Sequence, residues 1–122
     1  MLDVRPEAAA AAAWWAAALR AVAVGVAADQ ATEFEQVLAE CIEARCQEAA
    51  WQPEVPTYGG CGRQVTSDPR PDQALVRAGR RAGVAFLLDH LPRTVMWVNP
   101  GEVVVETAGD DEPTRVWRAP VR

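Results

Sequence analysis

The sequence predicts an α+β domain, three helices followed by a small three-stranded antiparallel β-meander. Apolar residues recur at helical spacing as far as about residue 91, and beyond Pro92 they run in short β-branched stretches. Asn99-Pro100-Gly101 and Gly109-Asp110-Asp111-Glu112-Pro113 then break those stretches as turns do. At 122 residues, half of them apolar, the chain has the length and composition of one globular domain. It is read as a single domain over 1–122, with a helical part from about 4 to 91 and a meander from about 93 to 118.

The first helix is expected from about Val4 to Val26, with Asp3 as cap and Pro6 tolerated in the first turn. Its alanine run has the best available helix propensity. Trp15, Leu19, Val22 and Val26 mark the buried stripe, with Trp14 at its edge. The second helix is expected to open on Thr32-Glu33-Phe34-Glu35, read as a capping box, and to end near Ala50. Phe34, Leu38, Cys41, Ile42, Arg45 and Ala49 trace one face of it, flanked by Val37 and Cys46. Glu33, Gln36, Glu40, Glu43 and Gln47 trace the opposite face.

Residues 51–71 hold four of the nine prolines and three of the eight glycines, and read as a long loop. A third helix follows from about Pro71 to Ala82 with Gly83 as C-cap. Leu75, Ala78 and Ala82 face inward on it, while Arg70, Arg77, Arg80 and Arg81 form an outward basic strip. Ala85 to Leu91 is a short helix or a covered connector. Three strands then run over 93–98, 102–107 and 114–118. On the first, Arg93, Val95 and Trp97 share one face and Met96 and Val98 the other. Both faces being apolar, the sheet needs a cover beyond its own helices: a partner protein or a second copy in a homodimer.

Charge narrows the function classes. All 12 basic residues are arginine, so lysine Schiff-base chemistry and lysine phosphate grips are absent. The net charge of −5 argues against direct nucleic-acid or anionic-membrane binding. Residues 1–57 carry −6, residues 58–93 +3 and residues 94–122 −2, which points either to internal pairing or to two faces of opposite sign. The alanine-rich start has acids beside its Arg5 and little Leu, Ile or Phe, so it reads as a helix of a cytoplasmic protein rather than a signal peptide or membrane span.

Several patterns together resemble a group of small phage- and prophage-encoded accessory proteins. These are Ala13-Trp14-Trp15-Ala16 ending in Leu19-Arg20, the Asp68-Pro69 entry to a helix with Leu75, Ala78 and Ala82-Gly83, and Pro92-Arg93-Thr94-Val95-Met96-Trp97 before a glycine turn and Val103-Val104-Val105. The resemblance implies a mobile-element origin and, for small acidic proteins of that kind, inhibition of a host defence complex in the manner of an anti-CRISPR protein.

The residues that carry binding in this reading are Glu33, Glu40 and Glu43, a row of negative charge of the kind that imitates phosphates, together with Arg93, Trp97 and Trp117. The alternative is a sponge for an anionic nucleotide signal, enclosed by Arg77, Arg81, Arg93 and a Trp. A thiol enzyme comes third, with Cys61 paired to His90 and Arg63 lowering the thiol pKa. Asp89, adjacent to His90, points elsewhere and does not orient it, so no catalytic residue is assigned and the chain is read as a non-enzyme. Cys41 and Cys46 stand about 140° apart around their helix and do not converge on a metal, so no metal or cofactor is expected.

Overall fold

The structure is a computed structural model that describes residues 3–49 and 60–120. Its elements are α1 (Arg5–Val22), α2 (Ala28–Glu48), β1 (Gln64–Thr66), α3 (Gln73–Ala82), β2 (Thr94–Asn99), β3 (Glu102–Thr107) and β4 (Thr114–Arg118). Two 3-10 turns, Gly60–Arg63 and Ala85–His90, precede β1 and follow α3. The fold class is α+β as expected, but the sheet has four strands in the order β1-β2-β3-β4, all antiparallel. The extra strand lies inside the segment read as loop, and it precedes α3 rather than following three helices. Three residues are too few to show a period; only pairing with β2, Val65 opposite Met96, makes them a strand.

α1 stops at Val22, four residues short of its expected end, and Gly25 follows in the left-handed region at φ 98°. The buried stripe therefore ends at Leu19: Val22 is exposed, Val24 fully so, and Val26 is half-buried. The stripe instead extends towards the N-terminus through Ala8, Ala11, Ala12, Trp15 and Ala16. Alanine side chains at those positions let the helix approach its neighbours closely. Trp14 does sit at the stripe's edge, its ring perpendicular to that of Trp15 with centroids 5.0 Å apart. The residue before the cap, Asp3, accepts from the Arg5 N–H at 3.2 Å.

α2 begins at Ala28, not Thr32. The Gln30 side chain reaches back to accept from the Ala27 N–H at 3.0 Å, which is half of a capping box; alanine at the cap has no side-chain oxygen for the other half. Thr32 is already inside the helix, its hydroxyl donating to the Ala28 carbonyl at 3.0 Å. Phe34, Leu38, Ile42 and Cys46 are fully buried from this helix, while Cys41 and Arg45 are half-buried. Truncating any of the large ones to Ala is expected to cost about 2–5 kcal/mol.

α3 opens on Asp72, whose Oδ1 accepts from the N–H groups of Ala74 and Leu75 at 2.9 and 3.4 Å. It closes on Gly83 at φ 75°, the expected left-handed cap. Gly79 is there for another reason: a Cβ would meet the Leu88 side chain at 2.9 Å and the Ala85 backbone at 3.0 Å, so glycine lets the second 3-10 turn lie on α3.

The layers follow from these faces. α1 packs on β2, β3 and β4 and also on α2, and α2 packs on α3. Val65, Met96, Val98, Val103 and Val105 form the buried face of the sheet, in one core with Trp15, Leu19, Phe34, Leu38, Ile42 and Leu75. Among the described residues no helix is long and apolar enough to cross a membrane.

Candidate protein-binding surface

The alternation along β2 decides what faces outward. Thr94, Met96 and Val98 are buried, whereas Val95, Trp97 and Asn99 are half-buried on the other face. Register places Val104 opposite Trp97, Glu106 opposite Val95 and Glu102 opposite Asn99 on β3. On the far side Gln64 stands opposite Trp97 and Thr66 opposite Val95. Val95, Trp97 and Val104 are not packed against the buried core, unlike the other partly buried residues Val116 and Trp117. The outward face is thus a narrow apolar strip centred on Trp97, bordered by polar and charged side chains.

A register irregularity between Val103 and Val104 shapes the β4 edge. Trp117 pairs with Val103 and Arg115 with Val104, so Val116 is the extra residue of a bulge. Arg115 is thereby turned outward, where its Nε donates to Glu102 Oε2 at 2.9 Å. This ion pair is exposed and contributes little stability; it serves as a charged rim for the strip. Trp117 is turned inward against the core. Trp97 and Trp117 therefore lie on opposite faces and do not form one aromatic surface, because the bulge resets the alternation.

The other expected binding residues are also dispersed. Glu33 and Glu40 are exposed and Glu43 half-buried on α2, and α1, which packs on both α2 and the sheet, separates that row from Trp97. Arg93 is exposed just before β2, 3.9 Å from Asp68. Arg77 and Arg81 share a groove of about 590 Å³ with Pro71, Gln73, Val76 and Arg80. Among the described residues neither a Trp nor Arg93 lines it, so the groove does not bring Arg93 together with Arg77 and Arg81. The Cys61 side chain lies outside the described residues, and His90 is exposed in the last turn of the second 3-10 turn. Among the described residues no group of three His, Cys, Asp or Glu is placed to hold a metal ion. Cys46 is fully buried, and burial pushes its thiol up to about 12, away from any reactive thiolate.

Three polar residues whose structural role sequence reasoning missed hold the frame of this surface, among them Arg63, expected beside the Cys61 thiol. Arg63 is fully buried beneath the β2 end, its Nε donating to the Val98 carbonyl at 2.7 Å and its Nη2 to Asn99 Oδ1 at 2.9 Å. Burial lowers the Arg63 pKa from its ordinary value. Glu7 of α1 is buried too, and its Oε2 accepts from the Gly101 N–H at 2.8 Å, pinning the β2–β3 turn. Asp72 joins three elements: Oδ2 accepts from the Thr66 N–H at 2.8 Å and from Arg45 Nη1 at 3.2 Å, while Oδ1 caps α3. Of the three, Asp72 had a sequence signal, an acid directly before Gln73-Ala74-Leu75. Glu7 and Arg63 had none, since both look like surface charges.

Stacked helices on one side of an antiparallel meander, with an aromatic-centred strip on the other, define a class: a small α+β domain with helices on one face of a four-stranded antiparallel sheet. The chain belongs to the BTG family, whose sequence profile matches residues 4–117. Its fold is similar to that of the C. elegans FOG-3 BTG/Tob domain, with a TM-score of 0.78 at 18% identity over 94% of this chain and 90% of that one. No curated protein matches the chain. These findings overturn the phage and prophage resemblance, and with it the reading of an anti-CRISPR-like inhibitor of a host defence complex, since the BTG family is a eukaryotic one. The patterns behind that resemblance, an alanine-rich helix with paired Trp and a Trp-bearing strand, are common packing devices and carry no ancestry by themselves.

Proposed function

We propose that this chain is a non-catalytic regulatory module that acts by holding a partner protein on its outward sheet face. Protein binding is the behaviour of BTG/Tob domains, which supports the class of partner. The observation that carries the location is the Val95, Trp97 and Val104 strip, apolar and half-exposed yet detached from the core, with Glu102, Glu106 and Arg115 around it. A large aromatic at the centre of a polar rim is the composition in which binding energy concentrates.

The test compares the wild-type domain with Trp97→Ala and Val104→Glu as bait in a eukaryotic cell lysate, with Glu40→Arg as a control on the far side of α1. Both sheet variants are expected to keep the fold by circular dichroism, because neither side chain belongs to the core. Loss of the same captured protein in both sheet variants, with retention in the control, is the expected result. Capture that is indifferent to Val104→Glu would refute the assignment of this face.

A further inference from the structure

A second surface lies at α3, away from the sheet face. Arg5, Arg45, Arg93 and Arg115 each have a carboxylate within 4.0 Å. Among the described residues, Arg70, Arg77, Arg80 and Arg81 have none, although all four are exposed on one segment of an acidic protein. Expected pairing with the acidic α2 face is not made within that distance. Arg77 shares a groove with Glu48, and Arg81 with Asp29 and Glu33, so α2 borders the strip rather than neutralising it.

Beside these arginines stands the largest exposed apolar side chain among the described residues. Phe86, in the second 3-10 turn, is 75% exposed. It lines a groove of about 410 Å³ with Arg70, Pro71, Val76, Arg80, Ala85, Leu88 and Asp89. Pro71, Val76 and Arg80 also line the 590 Å³ groove that holds Arg77 and Arg81, so the two form one trough with an apolar end and a cationic end.

We infer that this trough binds a short acidic peptide segment of a partner protein, one large apolar side chain lying against Phe86, Val76 and Pro71 and carboxylates meeting Arg80, Arg70 and Arg77. Charge complementarity selects the occupant: a cationic groove in a protein of net charge −5 attracts a compact anion. A nucleic-acid strand would have to pass Asp89 at one end and Asp29, Glu33 and Glu48 along the α2 side, which a polyanion does not tolerate. A second copy of this chain is a poorer fit, because its acidic turn Asp110-Asp111-Glu112 contains no large apolar residue for the Phe86 end.

Selection of a displayed library of random dodecapeptides on the full chain tests this. Enriched sequences are expected to combine several Asp or Glu with one large apolar residue. The best of them, synthesised, is expected to bind about tenfold more weakly to Phe86→Ala and to lose binding to Arg80→Glu. Its affinity should fall with added salt. Trp97→Ala should leave it unchanged, which separates this site from the sheet face. Both substituted side chains are exposed, so unchanged thermal melting accompanies the loss; Arg70→Glu provides an independent check. No enrichment, enrichment without acids, or binding indifferent to Phe86 and Arg80 overturns the inference. Tighter binding of single-stranded oligouridylate through Arg80, or self-association through the same residues, overturns it as well.

Discussion

Asp72 is the residue whose loss should be felt in most places at once. Replacing it with Ala removes the α3 cap, worth about 1 kcal/mol in comparable helices. It also strands the Thr66 N–H and weakens the hold on Arg45, which keeps its bond to the Gln64 carbonyl. Both groups are part-buried, so about 1–3 kcal/mol more is lost with them. The expected cost of Asp72→Ala is then about 2–4 kcal/mol, or roughly 8–16 °C in melting temperature for a domain of this size. Asp72→Asn can keep the cap through its one oxygen, but its amide N–H groups then face the Thr66 N–H and Arg45. It should restore only the cap's share of about 1 kcal/mol and still lose about 1–3 kcal/mol. Urea denaturation followed by circular dichroism measures both, and a double-mutant cycle with Arg45→Ala isolates the ion pair. A cost for Asp72→Ala below about 0.5 kcal/mol, with no coupling to Arg45, would show that the three-way junction is not what holds α2, β1 and α3 together.

Glu7 supplies a second test. Glu7→Ala leaves the Gly101 N–H without its acceptor and should cost about 1–3 kcal/mol, while Glu7→Gln, which can still accept that bond, should cost less; the order is read from chemical denaturation. Cys46 sets a limit on alkaline stability. An unfolded thiol ionises near its ordinary 9.0, while the buried one keeps its proton to about 12. Between those values the unfolded state binds fewer protons, so stability should fall as pH rises, by at most about 1.4 kcal/mol per pH unit. Below that window the term vanishes. Cys46→Ala should be less stable at neutral pH yet lack this part of the alkaline decline, which denaturation at a series of pH values would show.

Much of the frame was legible from pattern. Leu75, Ala78 and Ala82 face inward and Gly83 caps α3 as their spacing and type require. The Asn99-Pro100-Gly101 turn joins two strands over nearly the predicted bounds, with Gly101 at φ 79°. Errors cluster where a signal was local and its competitor was not. Thr32 looked like a cap, but the helix gains a further turn through Gln30. Val22 and Val26 continued the spacing of Trp15 and Leu19, but the chain turns at Gly25 before they can reach the core. Strand pattern placed neither Trp97 nor Trp117 on a definite side; the bulge residue Val116 sets Trp117 on the core face, opposite to that of Trp97.

Periodicity, turn residues and charge are properties of neighbours in the chain, and they suffice for an acidic α+β domain, its helices and three of its four strands. Which charges are buried, which tryptophan reaches solvent and whether Gln64–Thr66 becomes a strand depend on groups brought together from distant positions. Glu7 meets Gly101, Arg63 meets Val98 and Asp72 meets both Arg45 and Thr66 only after the layers have packed. A buried polar group is stable only with a partner in place, and that partner is chosen by three-dimensional proximity, which no local pattern encodes.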